Sequence, residues 1–178
     1  MKSDKQKGII LLGTARRGGN SFKIADYLNQ SLHFQLIDLN DSRIYPFNYE
    51  HDYPKDDAFL LLVQEILAAD VLIFVTPVYW YNVSTTMKLF MDRLTDLITI
   101  CKQEGRALKG KSVFSVSCGP DPDMPSYFHE PFRLTAEYLD MQYHGFMHAW
   151  MDEKEPISEE VIQRLNQFQE KIKRVLKS

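Results

Sequence analysis

The apolar residues of this chain follow two alternating patterns. Residues 8–12 and 70–75 are almost uninterrupted apolar runs, which is typical of strands buried on both faces of a sheet. Between such runs, apolar residues recur every three or four positions, as they do on one face of an amphipathic helix. The predicted strands span residues 8–12, 33–39, 70–75, 111–117 and 142–150.

The intervening segments predict five helices. Ser84 has the residue type that caps the third helix, and Asn20 or Ser21 is expected to cap the first. Strands of the buried type that alternate with helices predict an open parallel sheet with helices on both faces, which is a three-layer α/β/α domain. The predicted helices span residues 20–32, 58–69, 84–105, 128–140 and 156–175.

Composition and charge narrow the class of protein. With 178 residues and 44% hydrophobic content the chain can bury one core, so we expect a tail at residues 1–6 and a single domain at 7–178. A formal charge of -3 without a basic stripe argues against nucleic-acid binding. No apolar segment approaches the roughly 18 residues of a membrane span. Cys101 and Cys118 form no CxxC motif, and we therefore expect a cytoplasmic protein without a disulfide framework or a zinc site.

A glycine-rich segment follows the first strand and reads Gly-Thr-Ala-Arg-Arg-Gly-Gly-Asn-Ser over residues 13–21. Its hydroxyls, its amide, its guanidinium groups and the N–H groups of a helix start suit one phosphate monoester. The segment lacks the G-x-G-x-x-G of dinucleotide sites and the G-K-[ST] of triphosphate loops. The alternative interpretation is a surface turn with solvated arginines.

A second segment, residues 76–84, places three aromatic residues directly after the third strand. The two-residue period of a strand cannot bury Tyr79, Trp80 and Tyr81 together, so at least one of them is expected to face a ligand or a partner. A planar flavin ring would stack on such a side chain, and backbone groups near Asn82 would bond its polar edge. An aromatic rim that seals a subunit contact is the alternative, and both interpretations can hold together.

The two segments resemble motifs of the NAD(P)H-dependent FMN reductases and related flavoproteins of the flavodoxin-like fold. The first matches G-x-x-R-x-x-G-N-[ST], the second contains P-V-Y-W, and K-x-F-x-D-R follows at residues 88–93. The resemblance covers most of the chain and implies a five-stranded parallel sheet in the order 2-1-3-4-5. It also implies that FMN binds with its phosphate in the loop 14–21 and its ring between the loop 77–82 and the loop after the fourth strand. The residues assigned to FMN are Thr14, Arg16, Asn20, Ser21, Phe22, Pro77, Val78, Tyr79, Trp80, Tyr81, Asn82, Ser117, Cys118 and Gly119.

Other residues bear on what the site lacks. Relatives with an iron–sulfur cluster carry a compact cysteine cluster after the second strand, whereas residues 40–57 contain no cysteine, so no cluster is expected. This long segment is either an ordered surface loop or a functional one.

Cys118 either contacts flavin or substrate or is a small buried residue, the usual behaviour of a free cysteine. Asp121 and Asp123 indicate a turn between prolines, and we expect no metal site.

The resemblance implies an enzyme in which NAD(P)H reduces FMN, and the flavin then reduces a small-molecule acceptor in a ping-pong cycle. Quinones, flavins, and azo or nitro compounds are all compatible acceptors. The cofactor carries such chemistry, so no catalytic side chain is predicted. A homodimer or homotetramer is also implied. Two alternatives are a flavodoxin-like electron carrier, usually more acidic and without arginine in its phosphate loop, and a flavin-free binding or regulatory module.

Overall fold

A computed structural model describes residues 8–177, so the predicted tail, residue 7 and residue 178 lie outside the described residues. Five strands form one sheet in the order β2-β1-β3-β4-β5, and every neighbouring pair is parallel. The predicted three-layer fold and strand order are therefore confirmed. The strands are β1 (Gly8–Leu12), β2 (Gln35–Asp38), β3 (Val71–Pro77), β4 (Ser112–Gly119) and β5 (Gln142–Trp150).

The helices cover both faces of this sheet. Alternate residues of β1 point to opposite faces, so that Ile9 and Leu11 join one apolar cluster and Ile10 and Leu12 join the other. The first cluster is covered by α2 to α6, and the second by α1 and α7. The helices are α1 (Asn20–Leu32), α2 (Phe59–Ala68), α3 (Thr85–Arg93), α4 (Asp96–Thr99), α5 (Lys102–Ala107), α6 (Glu130–Tyr138) and α7 (Glu159–Val175).

The predicted continuous helix over residues 84–105 is wrong, because the chain forms three shorter helices there. Ser84 does cap α3, and its side chain accepts a hydrogen bond from the N–H of Met87. The break follows α3, where Arg93 turns into the core and Nε donates to Asp96 at 2.9 Å. At Gly105 a Cβ atom would lie 2.1 Å from the carbonyl oxygen of Leu97, so α5 packs more closely on α4 than any other residue type would allow. The apolar spacing is the same for one helix or three, and these polar and steric contacts decide between them.

Other predicted boundaries shift by a few residues. His33 is the left-handed cap of α1 and not the first residue of β2, and Leu39 begins a short 3-10 helix. The predicted helix 128–140 begins only at Glu130, after a 3-10 turn over Ser126–His129. Neither Asn20 nor Ser21 caps α1, because Gly19 occupies that position.

Arg93 anchors the long loop 40–57 to the domain. Its guanidinium is 1% exposed and donates to both carboxylate oxygens of Asp57 at 2.8 and 2.9 Å, and to the Tyr45 carbonyl oxygen at 2.9 Å. The ring of Tyr53 lies 3.6 Å from the guanidinium carbon. The carboxylate of Asp96 accepts from Arg93 and from the Tyr53 hydroxyl. The sequence predicted either an ordered surface loop or a functional loop for residues 40–57, and the buried guanidinium of Arg93 holds this segment in place.

No helix in the part of the chain that the structure describes is both long and apolar enough to cross a bilayer. The same residues contain no group of three or more His, Cys, Asp or Glu side chains placed to hold a metal ion.

Replacement of Asp57 by Asn should lower the free energy of unfolding by about 3 kcal/mol, because it leaves part of a buried charge uncompensated. Urea unfolding measures this change. The matched control is Asp92→Asn, which breaks the exposed pair of Lys88 with Asp92 and should cost less than about 0.5 kcal/mol. Equal losses in the two variants would contradict the assigned role of Arg93.

Candidate cofactor site

A cleft of about 660 Å³ opens where β1, β3, β4 and β5 end. The strand order reverses between β1 and β3, because the chain leaves β1 for β2 on one side and returns to β3 on the other. Ligands of such sheets bind in the crevice created by that reversal. The cleft is lined by Thr14, Arg16, Gly19, Asn20, Ser21, Pro77, Val78, Tyr79, Cys118, Gly119, Pro120, Met151, Asp152, Glu153 and Lys154.

One end of the cleft is the start of α1. Gly19 is the N-cap, and among the described residues no side chain accepts a hydrogen bond from the first turn. Nδ2 of Asn20 donates to the Met151 carbonyl oxygen at 3.3 Å, whereas its Oδ1 is buried without a hydrogen-bond partner in the described chain. A helix start with free N–H groups favours an anion, since the helix dipole adds to the donors. The unpaired buried amide oxygen indicates that a further polar group belongs at this position.

The loop before α1 is held from behind by neutral hydrogen bonds. Nδ2 of Asn40 donates to the Thr14 carbonyl oxygen at 2.7 Å, and Oγ of Ser84 donates to the Gly13 carbonyl oxygen at 2.8 Å. A Cβ atom at Gly13 would lie 2.7 Å from Cβ of Met87, so glycine is required where the loop crosses α3. These contacts use backbone carbonyl groups of the loop, so they occupy none of its N–H groups.

The two arginines of the loop lie in different places. Arg16 lines the cleft and pairs with Glu153 on the opposite rim, whereas Arg17 pairs with Asp41 and does not line it. Both pairs are exposed, and exposed pairs contribute about 0–1 kcal/mol. Arg16 is therefore free to exchange its carboxylate partner for another anion at little cost.

The turn after β3 is strained and displays aromatic side chains. Tyr79 and Asn82 exchange backbone hydrogen bonds of 2.9 and 3.0 Å, which leaves Trp80 and Tyr81 at the tip with φ of 50° and 60°. Asn and Gly are the residues that usually occupy such positions. The side chains of Trp80 and Tyr81 are 95% and 64% exposed, so the turn presents an aromatic surface that the core does not use. They border a groove of about 280 Å³ together with Val78, Gly119, Pro120, Asp121, Asp123, Met124 and Pro125.

The end of β4 forms another wall of the cleft. Cys118 is buried there, and burial raises the pKa of its thiol to about 11 against a small opposing effect of a hydrogen bond with Ser21. The thiol is neutral at physiological pH and is a poor nucleophile. Of the two interpretations of Cys118, the structure favours a small buried side chain that also forms part of the cleft surface.

A buried polar cluster lies behind this wall. Oγ of Ser117 is 3.0 Å from Nε2 of His129 and 2.8 Å from Nδ1 of His148. Burial lowers the pKa of His129 to about 3. Burial also lowers the pKa of His148, against the raising effect of its hydrogen bond to Asp121, and the positive charge of Arg164 adds to the lowering. Both imidazoles are thus neutral at physiological pH.

The predicted site residues are brought together only in part. Phe22 and Ser117 do not line the cleft, since Phe22 is exposed on another side of α1 and Ser117 is fully buried beneath the wall. Trp80 and Tyr81 line the adjoining groove, and Asn82 lines a separate cavity of about 700 Å³. The predicted residues that do line the cleft are Thr14, Arg16, Asn20, Ser21, Pro77, Val78, Tyr79, Cys118 and Gly119.

Sequence reasoning missed the segment after β5. Met151, Asp152, Glu153 and Lys154 form one rim of the cleft, although they include neither a glycine nor an aromatic residue. The signal that was available is positional, because every loop at the carboxyl end of a parallel strand borders the same edge of the sheet.

The family model described as NADPH-dependent FMN reductase matches residues 7–155. This chain belongs to the NADPH-dependent FMN reductase family. A curated relative from Bacillus subtilis (strain 168), the putative NAD(P)H-dependent FMN-containing oxidoreductase YwqN, is 34% identical over 89 residues. That alignment covers 47% of this chain and 49% of the relative, so it spans about half the length of the protein it matches. The predicted family is confirmed.

Solved structures show the same fold across most of this chain. The Trp repressor binding protein from Bacillus subtilis has a TM-score of 0.72 and 20% identity over 90% of this chain and 96% of that chain. An FMN-dependent NADH-azoreductase from Bacillus anthracis, in complex with FMN, has a TM-score of 0.69 and 13% identity over 96% and 99%. At such identities the likeness concerns the fold alone.

The buried histidines of this chain should make it sensitive to acid. An unfolded histidine titrates near pH 6.5, so the stability linked to the low pKa of His129 is complete above that pH and is lost as the pH falls toward 3. Each such histidine contributes a slope of up to about 1.4 kcal/mol per pH unit in this window. Urea unfolding between pH 5 and 8 measures the slope. It should decrease in His129→Gln and not in His33→Asn, which removes an exposed histidine.

Replacement of Tyr81 by Gly should raise the free energy of unfolding by about 1 kcal/mol, because glycine accepts a positive φ without strain. Thermal unfolding measures the gain. The control is Tyr49→Gly, which removes another exposed tyrosine from a loop position without a positive φ and should not stabilise the chain. A stability loss in Tyr81→Gly would show that the aromatic side chain contributes more than the strain costs.

Proposed function

We propose that this protein is an FMN-dependent oxidoreductase that takes hydride from NAD(P)H and delivers electrons to a small-molecule acceptor. The observation that carries the proposal is the start of α1, which opens into a cleft of about 660 Å³ without a capping side chain in the described residues. A volume of this size suits a drug-sized ligand, and the site lies at the reversal of strand order.

The residues present fit the phosphate of FMN. The N–H groups at the start of α1 have no capping side chain in the described residues, so they can donate to an anion, and Thr14 and Ser21 line the same cleft. Asn20 lines it too and has a buried oxygen that lacks a partner. Arg16 would exchange Glu153 for the phosphate and supply a charge-assisted hydrogen bond. The Asn20 oxygen can accept only from a donor, so it suits a hydroxyl of the ribityl chain.

The remainder of the cleft fits a flat ring. Val78 and Tyr79 form one wall, Gly119 and Pro120 form another, and none of these four residues carries a formal charge. FMN, when bound, supplies the hydride and electron transfer. The work of the protein is to orient the ring, exclude water from one side of it and leave the other side accessible. We assign no catalytic acid or base to the chain.

The groove beside the cleft is where we place the second substrate. Trp80 and Tyr81 offer exposed aromatic faces there, and the groove shares Val78, Gly119 and Pro120 with the cleft. Planar acceptors such as quinones, flavins, and azo or nitro compounds would stack on these rings. A single site used in turn by NAD(P)H and by the acceptor gives ping-pong kinetics. A structural neighbour that is named an azoreductase supports this class of acceptor.

We further propose that the protein assembles as a homodimer or homotetramer. The support is the exposed aromatic turn, since tyrosine and tryptophan are enriched at interfaces. Sedimentation equilibrium gives the mass in solution, and a monomer at micromolar concentration would contradict the proposal.

The decisive experiment is the visible absorbance spectrum of the purified protein with FMN, before and after anaerobic addition of NADPH. Rapid bleaching of bound flavin supports the oxidoreductase. Flavin that binds and stays oxidised with NADPH and with NADH would favour an electron carrier. A protein that binds no FMN would favour the flavin-free binding module.

Replacement of Arg16 by Met should raise the FMN Kd by about 10- to 100-fold, because a charge-assisted hydrogen bond of about 1.5–3 kcal/mol is lost. Quenching of FMN fluorescence measures the Kd. Arg17→Met is the matched control, since the neighbouring arginine pairs with Asp41 outside the cleft, and its Kd should change by less than about threefold. Equal effects in the two variants would indicate a general loss of positive charge and contradict the specific role of Arg16.

A further inference from the structure

Five buried or half-buried side chains form one continuous run of hydrogen bonds behind the β4 wall of the cleft. Oη of Tyr143 lies 2.6 Å from Oγ of Ser115, which lies 2.7 Å from Nδ1 of His129. Nε2 of His129 contacts Oγ of Ser117, which contacts Nδ1 of His148. Nε2 of His148 lies 2.9 Å from the carbonyl oxygen of Asp121. The run therefore crosses from β5 to the loop after β4.

The last acceptor fixes the direction of every hydrogen bond in this run. A carbonyl oxygen only accepts, so Nε2 of His148 must carry a proton, and the neutral ring then accepts at Nδ1 from the Ser117 hydroxyl. Ser117 in turn accepts from Nε2–H of His129. The neutral His129 accepts at Nδ1 from Ser115, and Ser115 accepts from the Tyr143 hydroxyl. The carbonyl oxygen of Asp121 thus sets the tautomers of both histidines and the hydroxyl orientations of Ser117, Ser115 and Tyr143.

This arrangement resists an added proton. A second N–H on His148 would occupy Nδ1, so the Ser117 hydroxyl would lose its acceptor and would have to reorient. The groups that face His148 are His129 behind β4, Asp121 from the loop and Arg164 from α7, and those near Tyr143 are Glu130 and Arg133 of α6. The lowered pKa values of both histidines agree with this order of donors and acceptors.

The run ends in a loop that has few other donors. Pro120, Pro122 and Pro125 have no N–H group, and the N–H of Asp123 is used inside the loop by Oδ1 of Asp121. The same loop borders both the cleft and the aromatic groove. Carbonyl groups of the loop therefore make contacts with β5: Gly119 accepts from the N–H of Met151 at 3.0 Å, and Asp121 accepts from Nε2 of His148.

We propose that His148 is a positioning residue, which holds the Asp121 carbonyl and thereby fixes the loop 119–125 as a wall of the site. The expected effect on FMN binding rests on the proposed function, whereas the expected effect on the amide exchange of residues 119–125 does not. His148 does not line the cleft, so it acts through the loop backbone.

Two substitutions separate the two hydrogen bonds of this imidazole. The amide of Asn reaches the position of Nδ1 and preserves an acceptor for Ser117, but it does not reach Asp121. The amide of Gln reaches the position of Nε2 and preserves a donor for Asp121, but it leaves Ser117 without its acceptor. His148→Gln is therefore the matched control for His148→Asn.

Amide hydrogen exchange of the full chain over residues 119–125 is the primary test. Exchange should be about tenfold faster in His148→Asn and less than about twofold faster in His148→Gln. The FMN Kd should rise about fivefold in His148→Asn and less in His148→Gln. Equal exchange in the two variants, or no change in His148→Asn, would overturn the proposal. Altered exchange in a chain that binds no FMN would refute the proposed function alone.

A measurement on the unmodified chain keeps the inference testable if a variant fails to fold. The ¹⁵N chemical shifts of His129 and His148 should report the neutral Nε2–H tautomer for both rings between pH 7 and 8. Protonation of His148 in this range, or the Nδ1–H tautomer, would reverse the run of hydrogen bonds and overturn the proposal.

Discussion

The structure depends on the burial of β1 and β3 on both of their faces. Neither strand has a side that could contact water, so helices must cover the sheet above and below, and each connection must cross a face. Parallel strands joined in this way all end at one edge. The loops that form the candidate site are therefore brought together by the apolar core before any polar residue contributes.

The polar contacts of the site divide into two kinds with different roles. Neutral hydrogen bonds from Ser84 and Asn40 hold the loop before α1 from behind, and the buried contact of Ser117 with His148 joins β4 to β5. Charged pairs such as that of Arg16 with Glu153 lie at the rim, where water screens them. The backbone of the site is thus rigid while its charges are exchangeable, a combination suited to a ligand that carries a phosphate at one end and a flat ring at the other.

The sequence predicted the strands well, because a buried strand leaves an unmistakable apolar run, as in residues 70–75. It also predicted the part of the site in which glycine and aromatic residues occur in an ordered motif. It failed where identical patterns permit different structures. The apolar stripe of residues 84–105 does not reveal that Arg93 turns inward, and the partner of that arginine, Asp57, lies 36 positions away. The rim formed by Met151 to Lys154 was missed because its residue types carry no signal beyond their place after a strand.

The K-x-F-x-D-R segment has a consequence for how such chains diverge. Lys88 and Asp92 form an exposed pair, Phe90 fills the core and Arg93 anchors a distant loop, so none of the four lines the cleft. A family member without a flavin would still need the buried Phe90 and Arg93 for its architecture. Membership of the family can therefore persist without an occupied cofactor site, and the motif at residues 88–93 identifies the fold and not the activity.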